Sequence, residues 1–406
     1  MKNLYIINEF VTSLSNGIGT YVNELINCLS DTNVKIGILL FNSEKKFFCI
    51  EEINKVTYFH FPVFTQGFLQ ENFKIVDNFL QLYIPDSSNN IFMFNYSPCS
   101  LLMKSLKKTY PLSKQIYVIH DMFWALHLYG NVEAYINILQ NKNHDNIKEE
   151  FAYLLDSYEE EKNMCDLADY IVCLSNDTYH LLIDQYLVHI DKVRLIPNAL
   201  TGLKSIWSKS KKETFRQEML LNKNEKVILY VGRVSELKGF YAYILAFKEV
   251  VKNYPKCRLV VVGSAKNWDH ILEYCYPISS NITFTGVLSP DELDKWYQIA
   301  DIGIQPSYTE QCSYVGLEMM AHKLPIIASD GFGVRCMFKK NENALIASIG
   351  NIELIDEFKN QLIYSTLKLL YSHSECKKLG NSAKEILKLN YSMSETKKQY
   401  KALFEE

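Results

Sequence analysis

Arginine is scarce in this chain: of its 43 basic residues only Arg194, Arg216, Arg233, Arg258 and Arg335 are arginines, and the rest are lysines. Charge of either sign is also nearly cancelled, at a formal −3 over 406 residues. That balance gives no support to a general nucleic-acid binder, which would carry a basic domain. The ten cysteines are scattered and form no C-x-x-C, which argues against a zinc ribbon or a redox pair. They read as buried free thiols in a reducing cytoplasm. No run approaches 18 apolar residues, so no transmembrane helix is expected; loose contact with a membrane surface stays open. The apolar run at 4–7 is too short for a signal peptide and no small-residue cleavage site follows it. A phosphate-binding G-x-x-x-x-G-K-[ST] loop and a G-x-S-x-G nucleophile elbow are both missing.

What is present is an ordinary globular composition, 48% hydrophobic and 22% charged, long enough for two large cores. Short apolar segments alternate with helical ones. The spacing predicts strands at 4–7, 35–41, 91–94, 115–119 and 170–174. A second series follows at 227–231, 258–262, 281–284, 302–305, 325–328 and 344–347. Continuous apolar runs such as Val-Ile-Leu-Tyr-Val suit parallel strands covered on both faces. Ile18, Tyr21, Val22, Leu25, Ile26 and Leu29 follow helical spacing. Alternating strands and helices imply parallel sheets with crossover helices. The pattern restarts after a polar, lysine- and serine-rich stretch at 205–212. Two doubly wound α/β domains are therefore expected, 1–204 and 205–389, with ligands in the cleft between them. The segment 122–165 is too long for a simple crossover. It reads as a helical insertion whose acidic clusters, Glu149–Glu150 and 159–161, are either solvated or part of an acceptor-side wall.

Four motifs carry chemistry. In the first, Ser307-Tyr-Thr-Glu310-Gln311-Cys312-Ser313-Tyr314-Val315-Gly-Leu-Glu318, two carboxylates stand eight positions apart, one before and one on a helix opening near Tyr314. A helix N-terminus is a natural seat for a phosphate, beside which Glu318 can accept from a ribose diol and Glu310 can orient a sugar. In the second, Gly232-Arg233 to Lys238-Gly239, two cations stand at the carboxyl end of a strand, suited to a diphosphate; two solvated loop cations are the alternative. In the third, Asn16-Gly17-Ile18-Gly19-Thr20, the glycine pattern of a dinucleotide fold is broken. It fits a flexible loop closing over a phosphate or acceptor. In the fourth, His120 follows a strand, at the edge where α/β sheets bind ligands.

These motifs together resemble the retaining GT-B glycosyltransferases of glycosyltransferase family 4, the glycosyl transferases group 1. The resemblance spans nearly the whole chain and is most specific over 227–347. It rests on G-R-x-S-x-x-K-G at 232–239, Val-Gly263, Phe-Thr-Gly286, Ala300-Asp301, the E-x7-E pair and Asp330-Gly-Phe-Gly333. It implies two Rossmann-like domains facing across a cleft, with the last helix, 390–406, packing back on the first. It implies a UDP- or GDP-linked sugar held by the second domain and a glycan, lipid-linked or peptide acceptor held by the first. No metal or other cofactor is implied, and the lack of any D-x-D agrees. Carried over residue by residue, Arg233 and Lys238 bind the diphosphate and Glu318 the ribose. Glu310 meets the donor sugar; Gln311, Cys312 and Ser313, with Tyr314 and Val315, line its pocket. Val287 and Leu288 meet the base, His120 stands near the reacting sugar, and Gly17 and Gly19 form the glycine loop. The chain departs from the family pattern at Gln311-Cys312-Ser313, where Gly-Phe-Gly is common, and at Lys323, where Gly is usual. Competing readings are a non-hydrolysing sugar-nucleotide epimerase, a non-catalytic two-lobed sugar-binding protein and, more remotely, a NAD-dependent dehydrogenase.

Overall fold

A computed structural model of the chain describes residues 1–9, 17–63, 73–95, 99–202, 204–350 and 355–406. The chain divides into two compact units. The first comprises Met1–Trp124, Val132–Thr201 and Met393–Glu406; the second comprises Ala125–Asn131 and Gly202–Ser392. The C-terminal helix Met393–Glu405 thus belongs to the first unit, and a short piece of the 122–165 insertion belongs to the second.

The first unit is built on eight strands: β1 Lys2–Glu9, β2 Val34–Ser43, β3 Cys49–Ile53, β4 Val56–Pro62, β5 Asn90–Phe94, β6 Lys114–Ile119, β7 Tyr170–Cys173 and β8 Val193–Leu195. Their order is β3-β4-β2-β1-β5-β6-β7-β8, parallel except for the β3–β4 hairpin. The chain runs outward from β1 through β2 to β4, then crosses back to lay β5 on the other side of β1. β1 and β5 therefore flank the point where strand order reverses. Every residue of β5 is buried, as a central strand with both faces covered requires. The helix Gly17–Leu29 buries Tyr21, Val22, Leu25 and Leu29, and the C-terminal helix buries Tyr400, Leu403 and Phe404. Tyr21 and Tyr400 join these two helices through their hydroxyls, 2.5 Å apart.

The second unit has six parallel strands: β9 Lys226–Val231, β10 Cys257–Val262, β11 Ile282–Gly286, β12 Ile302–Gln305, β13 Ile326–Ser329 and β14 Leu345–Ala347. Their order is β11-β10-β9-β12-β13-β14, the 3-2-1-4-5-6 arrangement of a Rossmann-type sheet, with its switch point between β9 and β12. Ile228, Val261, Ile304 and Ile327 join Tyr243, Phe247 and Leu362 from flanking helices in one core.

All eleven strands predicted from the sequence are present. β3, β4 and β8 are not in that set. β3 and β8 are short, partly exposed edge strands, and β4 mixes polar with apolar residues, so none forms a continuous apolar run. Gly17 and Gly19 form the first turn of a helix rather than a loop, because the apolar periodicity already begins at Ile18. Asn16, the other end of that motif, lies outside the described residues. Among the described residues, no helix is long and apolar enough to cross a membrane.

Candidate functional site

Ligands of open α/β sheets bind beyond the carboxyl ends of the strands, at the switch point. In the second unit that edge holds Gly232-Arg233 after β9, Gly263 after β10, Val287-Leu288 after β11, the 306–313 loop after β12 and 330–333 after β13. Every residue assigned to the second unit from its motifs lies on this edge or on the helix leaving it.

The 306–313 loop is fixed by its neighbours' lack of side chains. Gly239 has φ +67, and a Cβ there would stand 2.0 Å from the Pro306 carbonyl oxygen; Gly333 has φ +74, and its Cβ would stand 1.7 Å from that of Glu310. Both positions need glycine for conformation and for space. Glu310 N–H also donates to Phe332 O at 3.0 Å. The loop is thereby held on two sides, with the Glu310 side chain aimed at the second motif. Lys238 Nζ donates to Glu310 Oε1 at 2.6 Å and Ser307 Oγ donates to the same oxygen at 3.0 Å. The pair is largely buried, with side-chain exposures of 23% and 16%, so the charges are worth more to each other than a surface pair. Buried Tyr230 fixes the backbone between the two cations by donating its hydroxyl to Arg233 O at 2.8 Å. The Arg233 side chain is exposed, and among the described residues no carboxylate pairs with it.

The helix Tyr314–Ala321 opens behind the loop. Its N-cap is Ser313, whose Oγ accepts from Gly316 N–H, so this hydroxyl caps the helix. The Ser313 N–H lies against Met337 Sδ at 3.1 Å. Gln311, Cys312 and Tyr314 are buried, Val315 is half-buried and Val287 exposed. Glu318 Oε2 accepts from Tyr297 O–H at 2.7 Å. The Tyr297 ring stacks on His322, at 5.1 Å between centroids. His322 in turn spans Glu318 O at 2.8 Å and Asp294 Oδ1 at 2.9 Å. Burial and the Glu318 carboxylate push the Tyr297 hydroxyl's pKa well up, which keeps it a donor. Tyr297, His322 and Asp294 were not picked out from the sequence. Ser307 was quoted only as the start of its motif, yet the Ser-x-x-Glu spacing to Glu310 is legible there.

In the first unit, His120 follows β6, beside β5. Its Nε2 is 2.6 Å from Asn95 Oδ1, and Tyr21 meets its ring edge-on at 4.5 Å. Since the amide oxygen accepts, Nε2 carries the proton and Nδ1 is the lone-pair side. Burial pushes the imidazole pKa down to about 3, so the ring is neutral at physiological pH. Just beyond it, Glu161 accepts from Phe123 N–H at 3.1 Å and from Tyr186 O–H at 2.5 Å. The Tyr186 hydroxyl also meets that of Tyr135 at 2.9 Å. The acidic cluster 159–161 is thus not uniformly solvated. Glu159 is exposed, Glu160 takes both the N–H and the hydroxyl of Ser100, and Glu161 is 4% exposed.

Two Rossmann-like, largely parallel sheets in one chain define the GT-B fold, and the solved structures agree. Sucrose-phosphate synthase from Thermosynechococcus elongatus superposes with a TM-score of 0.76 at 17% identity, over 100% of this chain and 98% of that one. The Anabaena HepE protein, solved in complex with UDP and glucose, gives 0.70 at 14% identity over the whole of both chains. Residues 211–385 match the family model for glycosyl transferases group 1. The matched stretch carries Arg233, Lys238, Glu310 and Glu318. An uncharacterized glycosyltransferase of Methanocaldococcus jannaschii is 30% identical over 161 residues, 38% of this chain. The chain spans 40% of that relative's length.

Proposed function

We propose that the protein is a glycosyltransferase that moves a hexose-type sugar from a UDP- or GDP-linked donor to an acceptor hydroxyl, with retention of configuration and without a metal. The observation that carries this reading is that Arg233 and the Lys238–Glu310 pair stand on the carboxyl edge of one Rossmann-type sheet, with Glu318 on the helix that leaves that edge. These residues fall inside the stretch matched by the family model.

The donor's C1–O bond to the diphosphate breaks while the acceptor oxygen bonds to C1. The acceptor proton passes to the leaving phosphate oxygen, so no external base is consumed. Arg233, Lys238 and the amide end of the helix Tyr314–Ala321 offset the charge growing on the leaving group. Glu310 then has two tasks, holding Lys238 and accepting from a donor-sugar hydroxyl. Glu318, held by Tyr297, takes the ribose diol. Among the described residues no second carboxylate placed as a nucleophile is identified, so a front-face, oxocarbenium-like route with retention, as in glycosyltransferase family 4, is the expected course. For the first unit we infer the acceptor side, a glycan, lipid-linked sugar or peptide, with neutral His120 hydrogen-bonding the reacting sugar rather than acting as an acid. Ten free cysteines, seven of them buried, suit a cytoplasmic enzyme, with peripheral contact at the inner membrane face compatible with a lipid-linked acceptor.

The test is slow donor hydrolysis across a panel of nucleotide sugars, which needs no acceptor. UDP-glucose comes first, given the contents of the HepE structure. One or more donors should release nucleotide, and Arg233→Ala or Lys238→Ala should slow release at least about a hundredfold. Near-normal release in either variant would sink the assignment.

A further inference from the structure

The opposite end of the second unit's sheet holds a cavity of about 550 Å³. Lys226 opens β9 and Asp301 immediately precedes β12, and both line it. Arg233 and the 306–313 loop follow those same strands. A six-residue strand therefore separates the cavity from the site described above, about 20 Å at roughly 3.3 Å per residue.

The cavity's charges do not balance. Five cations line it against three carboxylates, and the two innermost carboxylates are already spent. Asp301 takes Lys226 Nζ at 2.8 Å, Val227 N–H at 2.9 Å and the Arg216 guanidinium at 3.4 Å. Glu225 takes Arg258 Nε at 2.8 Å and Asn222 N–H at 3.0 Å. The third, Glu213, is exposed and reaches Lys209 only at 3.9 Å. Lys212 and Lys223 are left over. Among the described residues neither ammonium has a carboxylate partner, and Lys212 is half-buried. Burial lowers the Lys212 pKa, opposed by Asp301, and an anion placed beside the ammonium would offset that burial by favouring the charged form. Arg216 is immobilised by Ile299 O at 3.0 Å and Glu225 O, which makes the floor rigid, and the Tyr254 ring forms part of the lining.

We propose that this cavity is a second anion site, taking a phosphate group through Lys212 and Lys223 at the amino ends of β9 and β12. The volume exceeds that of phosphate alone and falls in the range of small-molecule sites. The occupant is therefore a phosphate ester or diphosphate with further atoms attached, either free or as a lipid headgroup. The inference does not depend on the glycosyltransferase reading, since the two sites share no residue.

The test uses the full chain and two probes. Inorganic pyrophosphate is titrated calorimetrically into wild type, Lys212→Gln/Lys223→Gln and Arg233→Ala. Sedimentation with phosphatidylcholine vesicles, with and without phosphatidylglycerol, covers the lipid source. Pyrophosphate binding should persist in Arg233→Ala and weaken at least about tenfold in the double variant, as expected for losing two charge-assisted contacts. Sedimentation only with phosphatidylglycerol, lost in the double variant, would assign the lipid source; calorimetric binding without sedimentation would assign a free ligand. Among the described residues neither lysine changed in the double variant is within ion-pair distance of a carboxylate, so the variant should melt like wild type. Unchanged affinity of the double variant in both arms, or no binding of either probe by wild type, overturns the proposal.

Discussion

Replacing Glu161 with Gln should change how the protein's stability depends on pH. The carboxyl sits 4% exposed between Phe123 N–H and the Tyr186 hydroxyl. Burial raises its pKa from 4.5 to about 7, opposed by Tyr186 and Phe123 and assisted by Asp121. The folded state therefore holds this proton more tightly than the unfolded chain. Its contribution is greatest below pH 4.5 and is lost as pH rises to 7. At about 1.4 kcal/mol per pH unit, the ionised carboxylate costs the fold about 3 kcal/mol above pH 7. His120 works in the other direction. Its pKa is depressed to about 3, so its contribution is present above the unfolded value of 6.5 and is lost as pH falls. Between pH 4.5 and 6.5 the two slopes cancel in the wild type. Gln keeps the shape, accepting from Phe123 N–H through its oxygen and donating its amide to the Tyr186 oxygen, and it does not ionise. The variant should thus gain on wild type as pH rises, by about 2.5 kcal/mol between pH 5 and pH 8. For a unit of this size that is about 5–10 °C in Tm. Calorimetric melts of both proteins at pH 5, 6, 7 and 8 read the difference directly, and His120, common to both, drops out. Parallel Tm curves for the two proteins would refute a buried, proton-retaining Glu161.

Tyr297→Phe removes the hydroxyl that donates to Glu318 Oε2 and leaves the ring's stack on His322 intact. Nucleotide affinity measured by calorimetry should fall about five- to tenfold, with an unchanged Tm; an unchanged affinity would remove Tyr297 from the ribose site. Lys323 stands just past the helix Tyr314–Ala321 with φ 58, the left-handed C′ position where glycine is at ease. Lys323→Gly should therefore stabilise the second unit by up to about 1 kcal/mol, read as a higher urea midpoint. A lower midpoint would mean that the lysine side chain, and not its backbone, matters there.

The difference between what the sequence disclosed and what it withheld follows the kind of interaction involved. β9, β10 and β12 are legible because a strand buried on both faces must be apolar throughout, and that is a local property. The Arg233–Lys238 and Glu310–Glu318 motifs are legible because their chemistry is carried by residue type at short spacing. Gly239 closes the first of these motifs and Gly333 the Asp330-Gly-Phe-Gly333 segment, but their reason is not local: each exists so that another segment's carbonyl, at Pro306 or Glu310, can pass within contact distance. Tyr297 is further removed. It lies on a helix with a plain start signal, Ser289-Pro290 with Glu292 closing a capping box, yet nothing in that helix says which of its side chains will reach Glu318, 21 positions on. Glu161 is the extreme case. Within the run Glu159-Glu160-Glu161 the three side chains are chemically identical, and only the helix phase separates an exposed one, one bonded to Ser100 and one buried against Tyr186. Since neighbouring helix positions are about 100° apart, at least one of three consecutive carboxylates must turn inward when the helix packs. The acidic run that reads as a solvated surface is therefore also what supplies a buried proton-binding group, and its pH signature can be measured without knowing the acceptor.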